Sequence, residues 1–267
     1  MRALRAGGIA LLHVPVLTLP FLTLGAREWL AFAAFYLVVT FAIGAALHRY
    51  FAHRAFRVSR PVQLGLAVLT AAFFADPLGF SGRHRLHHRY SDTGRDFHGP
   101  RHGFWFAWLG HLLEDGYPEA QLRAETPDLA RYPELVWLHR HGYLCGVTAL
   151  ALTWWLGGYS VLAAGYCLAW CLVAIHGSSA VNYICHTRGR RRYDTGDQST
   201  NNLWLGIAML GEGWHNNHHH YPGAARAGFF WYEPDVLYWV LRGLSSVGLV
   251  SDLREVPEAV RRRGRLT

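Results

Sequence analysis

Apolar residues along this chain gather into four long runs that form two pairs. The first pair covers residues 11–24 and 29–47, and the second covers residues 143–156 and 159–181. Each run is near the ~20 residues that an α-helix needs to cross a bilayer. The pattern predicts an all-α integral membrane protein with two helical hairpins. Its four transmembrane helices are expected at about residues 9–25, 29–47, 143–157 and 159–181.

The segments outside these runs are more polar. Residues 48–140 and 182–255 are therefore predicted to form a cytoplasmic helical domain. A further apolar run, 62–80, is interrupted by Asp76 and Pro77, which predicts an interfacial or re-entrant helix rather than a span. Residues 235–249 have the pattern of a peripheral amphipathic helix. The tail, 254–267, is predicted to be solvated and mobile.

Eight histidines stand in three tight clusters at the ends of the apolar runs. They are His48 and His53; His84, His87 and His88; and His215, His218 and His219. The last two clusters share the pattern H-x-x-H-H, whose i, i+3, i+4 spacing places three imidazoles in one arc of a helix. Imidazoles at this density are typical of a Zn, Cu, Fe or Ni site. A metal transporter would hold its ligands midway through the spans, not at their ends.

The first cluster has a different spacing. His48 and His53 are five residues apart, which separates them round an ideal helix of 3.6 residues per turn. They can converge only where the helix frays or lengthens its turn. The sequence therefore predicts a helix end at this point.

Charge and the number of crossings together predict the orientation. The third and fourth runs supply an even number of crossings between His88 and His215, as a shared site requires. Because most arginines lie beside the histidine clusters, the positive-inside rule places the clusters and both termini in the cytoplasm. A signal peptide is the alternative for the first run, but no A-x-A-like cleavage site precedes a mature domain. The arginine-only, alanine-rich composition points to a high-GC bacterial source and hence to an inner membrane.

The net charge of +8 raises nucleic-acid binding as another alternative. Anionic membrane lipids or an anionic substrate explain the charge as well, and no nucleic-acid motif appears. No nucleic-acid partner is therefore expected.

Five motifs carry a resemblance to a known family. They are H-R-Y-F-A-H from His48, H-R-L-H-H-R-Y-S-D from His84, D-x-H-x-P-x-x-G-F-W from Asp96, V-N-Y-I-C-H from Val181, and G-E-G-W-H-N-N-H-H-H-Y-P from Gly211. In this order they resemble the membrane fatty-acyl desaturases with histidine boxes, of the stearoyl-CoA or acyl-lipid Δ9 type. The resemblance runs from about residue 29 to residue 256. It implies a single fatty acid desaturase domain over residues 1–267.

The resemblance implies a non-haem diiron centre held almost wholly by histidine. The implied ligands are His48, His53, His84, His87, His88, His186, His215, His218 and His219, with Asn182 close to one iron through a water. Asn182 lies one helical turn before His186, on the same face. His98 and His102 are expected to support the second cluster, and His220 is expected not to be a ligand.

The implied reaction is O₂-dependent formation of a cis double bond at the Δ9 position. No group in a protein has a pKa that would deprotonate an unactivated methylene, so an oxidant made from O₂ is needed. Two of the four electrons must come from outside, since the chain has no haem, flavin or nicotinamide motif. The resemblance implies a separate ferredoxin or cytochrome b5 system with its reductase. A histidine-box fatty-acyl or lipid hydroxylase is the alternative.

The acyl carrier stays open between CoA and a membrane lipid. Arg83, Arg85 and Arg188 are candidates to bind CoA phosphates. However, Glu114 and Asp115 stand where acyl-CoA members of the family carry a basic pair, and they would repel CoA.

Two residues are candidates for limiting the length of the bound acyl chain. Phe32 and Tyr36 lie on neighbouring faces of the second span, and one of them is predicted to plug an acyl tunnel. Core packing is the alternative role. If either is the plug, its replacement by alanine should lengthen the preferred chain.

Overall fold

The computed structural model describes residues 2–114 and 116–266, with Leu4 described by its backbone alone. These residues form helices and four isolated β-bridges, without a β-strand among them. The main helices are α1 (Arg2–Leu17), α2 (Ala26–Ala52), α3 (Arg60–Ala71), α4 (Pro77–Tyr90), α5 (Glu119–Glu125), α6 (Pro127–Ala130), α7 (Pro133–His141), α8 (Tyr143–Ile184), α9 (Leu203–Ala208), α10 (His215–His220), α11 (Val236–Ser246) and α12 (Glu258–Arg262). Shorter helical turns lie at Leu19–Phe21, Pro100–His102, Phe106–Gly110 and His111–Leu113.

Helices α2 and α8 are long and apolar enough to cross a membrane, and Arg5–Phe21 is a shorter apolar stretch. Large side chains such as Trp29, Leu30, Trp154 and Trp155 are exposed on their outward faces. Extended exposed apolar surface of this kind marks a protein or membrane contact. The first apolar helix ends at Leu17, earlier than the predicted 9–25.

Helix α8 is broken at Gly158, whose φ of 73° and ψ of −177° belong to a region that only glycine occupies readily. The two parts of α8 are thus separate helices joined at the glycine pair. Their junction lies beside the turn between α1 and α2. The Thr18 and Tyr159 hydroxyl groups are 3.0 Å apart, and the Glu28 carboxylate accepts a hydrogen bond from Ser160 at 3.0 Å. Both turns therefore lie at one end of the helices.

The last part of α2, Phe41–Ala52, is a π-helix. Its wider turn brings His48 and His53 together, with ring centroids 5.0 Å apart. The helix ends at Ala52, immediately before His53. The helix end predicted from the i, i+5 spacing is thus confirmed, and of the two alternatives, fraying or a lengthened turn, the lengthened turn is present.

The interrupted run 62–80 forms two helices, α3 and α4, of 12 and 14 residues. Neither reaches the ~20 residues needed for a crossing. The carbonyls of Ala72 and Phe73 between them accept hydrogen bonds from Tyr166 and Trp170 in the second half of α8. The Asp76 carboxylate caps the start of α4 by accepting from the backbone N–H groups of residues 78 and 79. The irregular backbone here is satisfied by protein, as a re-entrant segment requires.

The C-terminal region is more ordered than predicted. Helix α11 covers Val236–Ser246, within the predicted 235–249, and buries Leu237 and Leu241. The tail beyond it is hydrogen-bonded to the body of the protein, because the N–H of Leu266 donates to the carbonyl of Arg192 at 2.7 Å. Most of the described tail residues are exposed, as predicted, but the backbone of the tail is held to the body instead of being free.

Candidate metal centre

The nine candidate histidines converge on two points. We call one set the first histidine group: His48, His53, His84, His88 and His218. The second histidine group is His87, His186, His215 and His219. Within each group, one ring nitrogen from every residue lies within 4.8 Å of the others. The structure thus brings together the three clusters and the isolated His186.

Helices α4 and α10 each serve both groups. In α4, the first and last histidines of H-x-x-H-H join the first group, and the middle one, His87, joins the second. In α10 the division is reversed, and the middle one, His218, joins the first group. Residues four apart share a helix face, while the residue between them is offset round the axis. One repeated spacing therefore directs two helices at two sites.

The Nε2 atoms of the first group are spaced like the ligands of one metal ion. His48 and His218 are 3.0 Å apart at Nε2, and His53 and His84 are 2.8 Å apart. His88 Nε2 lies 3.0 Å from both His84 and His218. Metal–imidazole bonds are ~2.0–2.1 Å, and two such bonds at a right angle separate their nitrogens by roughly 3 Å. The five nitrogens fit one cation.

The second group has the same spacing. His215 Nε2 lies 3.0 Å from His186 Nε2 and 3.1 Å from His219 Nε2. The Nε2 atom of His87 is buried without a hydrogen-bond partner among the described residues. A buried polar atom without a partner costs free energy, and a metal ion at the convergence point would satisfy it. The donor set of the second group therefore also fits a cation.

Four of the nine rings form a hydrogen bond to a carboxylate through Nδ1. The pairs are His48–Glu212, His87–Asp96, His186–Asp92 and His219–Asp197. The last three pairs are 3.0, 2.8 and 2.7 Å long. An Nδ1–H group that donates to a carboxylate leaves the Nε2 lone pair free to face a metal, and it fixes the ring orientation.

Burial and mutual repulsion favour neutral rings. Burial, followed by the charges of neighbouring histidines, holds the pKa well below the usual value for His53, His84, His88, His215, His218 and His219. For Glu212, burial acts to raise the pKa, but His48 and Arg49 outweigh it and lower the pKa to about 2. Neutral imidazoles backed by ionised carboxylates are the form in which histidine binds metals.

Two asparagines fix α10 in place. The Asn216 side-chain oxygen accepts the backbone N–H groups of Arg192 and Tyr193, both at 2.8 Å. Asn217 donates to Glu233 at 2.9 Å and accepts from the side chain of Asn201 at 2.7 Å. Both asparagines are fully buried, so these bonds are shielded from water. The pair N-N in the last motif thus orients the helix that supplies three of the nine rings.

A cavity of about 430 Å³ opens beside both histidine groups. His48, His84, His215 and Asn182 line it together with many apolar side chains, including Phe73 and Trp170. This volume and lining are typical of a site for a small apolar ligand. Asn182 thus lines the same cavity as these histidines.

The three candidate arginines lie in different environments. Arg83 lines the cavity, near Arg5 and Glu114. The guanidinium of Arg85 donates to Asp128 and to three backbone carbonyls, so it is engaged within the protein. Arg188 is exposed to solvent. The predicted acidic neighbour Asp115 lies outside the described residues.

The two candidate plug residues lie away from the cavity lining. Phe32 packs in the core between the long helices, against Tyr36 at a ring distance of 5.8 Å. The Tyr36 hydroxyl donates to the carbonyl of Ala208. The aromatic side chains that do line the cavity include Phe73 and Trp170.

Three histidines close to the candidate ligands in the sequence have other partners in the protein. His98 lies with His87 and Asp96 in a third, smaller cluster, and His102 donates to the Asp96 carbonyl at 2.8 Å. His220 donates to the Val260 carbonyl at 2.8 Å and belongs to neither histidine group. These positions agree with the supporting roles expected for His98 and His102 and with the non-ligand role expected for His220.

The carboxylates that accept hydrogen bonds from the rings were not among the residues predicted from the sequence. Asp92, Asp96 and Glu212 stand inside the quoted motifs, and their closeness to the histidines was a usable signal, because metal-binding histidines usually donate to such groups. Asp197 had no comparable signal. It lies 22 residues before its partner His219, in a loop that no motif includes.

The fold and the site together define a helical protein with two polyhistidine sites beside an apolar cavity. A family profile described as "Fatty acid desaturase" matches residues 27–243. The chain is 33% identical to "Delta-9 acyl-lipid desaturase 2" of Arabidopsis thaliana over 258 residues, which is 94% of this chain and 82% of the relative. It therefore belongs to the fatty acid desaturase family, and it is an oxidoreductase.

Other relatives differ in acyl carrier and double-bond position. The chain is 34% identical to "sn-2 palmitoyl-lipid 9-desaturase" of Nostoc sp. (strain 36) over 226 residues, covering 81% of this chain and 78% of the relative. It is 33% identical to "Icosanoyl-CoA 5-desaturase" of Limnanthes douglasii over 247 residues, covering 88% and 68%. The family membership, α2, α8 and the histidine groups indicate a membrane desaturase with a metal centre and an acyl substrate.

Proposed function

We propose that this protein introduces a cis Δ9 double bond into a CoA-linked or lipid-linked acyl chain. The overall reaction joins one –CH₂–CH₂– unit, O₂, two electrons and two protons, and yields –CH=CH– and two waters. The observation that carries the proposal is the convergence of nine histidines on two points beside an apolar cavity. The protons and electrons come from solvent and from a separate ferredoxin or cytochrome b5 system.

The residues assigned to the metal are the first histidine group for one iron and the second for the other, with Asn182 near one of them through a water. Two such irons supply the oxidising power that acid–base groups lack. Glu212, Asp92, Asp96 and Asp197 orient the rings and keep their Nε2 lone pairs free. Arginine-rich surface beside the histidines supports a cytoplasmic metal centre, with four spans and both termini inside.

The apolar cavity is assigned to the acyl chain. Its lining includes histidines of both groups and Trp170, whose indole N–H is fixed to the Phe73 carbonyl at 2.9 Å. Arg83, which also lines the cavity, is the remaining candidate among the predicted arginines for the head group. Arg83 could bind the phosphate of a membrane lipid or a phosphate of acyl-CoA.

The experiment is expression in a host that lacks its own desaturase, with gas chromatography of fatty acid methyl esters and double-bond localisation. A new cis Δ9 monoene supports the proposal. Hydroxy fatty acids instead would assign the hydroxylase alternative. If neither product forms, reconstitution with ferredoxin, its reductase and NADPH decides, and a still absent product rejects both activities.

The lining of the cavity gives a prediction about chain length. Replacing Trp170 with alanine removes the largest side chain of that lining, and the preferred substrate should lengthen by about two carbons or more. Phe32→Ala serves as the matched control, because Phe32 lies outside the cavity lining. Product profiles from a mixture of C14 to C20 acyl chains measure both. A shift in Phe32→Ala without one in Trp170→Ala would restore Phe32 as the plug.

The carboxylates give a second prediction. Asp197→Ala leaves the Nδ1–H of His219 without its acceptor, and loss of such a partner typically costs ~10–100-fold in metal affinity or activity. Asp194→Ala is the control, because the Asp194 side chain is 70% exposed and its partners are Arg191, at 3.6 Å, and the backbone N–H of Gly196, at 3.4 Å, instead of a histidine. Iron titration of purified protein measures the affinity. Equal iron affinity in Asp197→Ala and wild type would remove Asp197 from the site.

A further inference from the structure

Two arginine-rich segments that are far apart in sequence lie side by side. The antiparallel bridge between Tyr193 and Arg265 joins them. The N–H of Asp194 donates to the Gly264 carbonyl at 2.9 Å, and the N–H of Leu266 donates to the Arg192 carbonyl at 2.7 Å. The tail is therefore held against the segment after His186. We call the two segments, 188–194 and 258–265, the arginine surface.

The arginine surface is strongly basic. Its two segments contain eight arginines and two carboxylates. Arg188, Arg190 and Arg263 are exposed, and none forms an ion pair with a described residue. Charged groups that the protein does not neutralise itself create a local field that attracts ligands of opposite sign.

This surface is coupled directly to the second histidine group. Residue 190 pairs with Asn201, which pairs with Trp214, the residue before His215. On the other side, His220 stacks on Tyr193 with ring centroids 4.0 Å apart and donates to the Val260 carbonyl. His220 directly follows His219 of the second group. Contacts of the arginine surface thus reach Trp214, through Asn201, and His220. These two residues are direct chain neighbours of the candidate iron ligands His215 and His219.

We propose that the arginine surface is the docking site of an acidic protein that delivers one electron at a time. The proposal rests on the proposed function, because that reaction takes two electrons from outside. A carrier must bring its redox group close to the irons, and the arginine surface backs the second histidine group. Opposite charges steer such partners and raise the association rate by ~10–10³-fold, an effect that salt weakens.

The test compares two reductants in the full-length enzyme reconstituted in nanodiscs. One arm uses a plant-type [2Fe–2S] ferredoxin with its reductase and NADPH. The other reduces the enzyme in the absence of O₂ with dithionite and methyl viologen, removes both, and then adds O₂ for a single turnover, which needs no docking surface. The variant is Arg190→Glu with Arg263→Glu. The control is Arg131→Glu, which places the charge change of one of these substitutions on an exposed arginine beside Tyr132.

For the double variant at low salt, kcat/KM for ferredoxin should fall about tenfold or more, while product formation with methyl viologen stays unchanged. Binding of oxidised ferredoxin, measured by surface plasmon resonance, should weaken in parallel. In the wild type, raising the ionic strength from 0.02 to 0.3 M should lower the ferredoxin-dependent rate, because the screening length shortens. Arg131→Glu should behave as wild type.

Other outcomes overturn the proposal. Unchanged ferredoxin kinetics and binding in the double variant would place the donor elsewhere. An equal loss with both reductants would mean that these arginines hold the substrate or the fold instead. Absence of any double-bond product from the wild type with methyl viologen would reject the proposed function itself, and the docking site with it.

Discussion

Replacing His218 with alanine is expected to abolish product formation and to reduce the iron content from about two to about one per chain. His218 Nε2 lies 3.0 Å from both His48 and His88, so it stands in the middle of the first histidine group. Its loss removes one of five nitrogens from that site. The effect should exceed the ~10–100-fold that is typical when only an outer partner of a metal ligand is lost.

The same motif supplies the matched control. His220→Ala removes a histidine two residues further along α10, whose ring bonds to the Val260 carbonyl instead of facing a histidine group. This variant should keep both irons. Iron analysis of the purified proteins and methyl-ester chromatography of the host lipids measure the two effects. If His218→Ala keeps two irons and full product, the first histidine group is not a metal site.

Replacing Arg49 with methionine is expected to cost about 3–5 kcal/mol of stability, the typical cost of breaking a buried ion pair from one side. Arg49 is 2% exposed. Its guanidinium donates to Glu212 at 2.8 Å and to Asp235 at 3.0 Å. Without it, both carboxylates would stay buried without a cation. Because Glu212 holds His48 and Asp235 caps α11, the loss should also loosen the metal site.

An exposed pair provides the comparison. Arg60 donates to Glu134 at 2.8 and 2.9 Å, but its side chain is 64% exposed, and such pairs contribute only ~0–1 kcal/mol. Arg60→Met should therefore melt near the wild-type temperature. Thermal unfolding in detergent, followed by intrinsic tryptophan fluorescence, measures both variants. Similar melting temperatures for Arg49→Met and wild type would show that the buried cluster contributes little.

The histidine spacing predicted the clustering of the rings because local geometry determines it. An i, i+3, i+4 pattern confines the rings of α4 and α10 to one arc, whatever the rest of the fold does. The i, i+5 spacing of His48 and His53 likewise required a frayed or a lengthened turn, and α2 contains a lengthened turn as a π-helix. The division of each cluster between two groups was not predictable in the same way. It depends on how α4 and α10 face each other across the site.

Long-range contacts account for what the sequence did not show. The partners of the rings, above all Asp197, come from segments whose approach depends on the tertiary fold. The cavity proposed for the acyl chain is lined by Phe73 and Trp170 because α3 ends against α8. Helix periodicity alone favoured Phe32 and Tyr36 as the residues that limit the chain. The tail was predicted to be mobile because chain termini often are. Its backbone hydrogen bonds with residues 192 and 194 are long-range contacts that no local pattern predicts.

The most direct test of two iron sites is anomalous diffraction from crystals of the purified enzyme, with data collected above and below the iron K edge. Two iron peaks per chain are expected. One should lie among the Nε2 atoms of His48, His53, His84, His88 and His218, and the other among those of His87, His186, His215 and His219. One peak, peaks outside these groups, or a signal that belongs to zinc instead of iron would contradict this expectation.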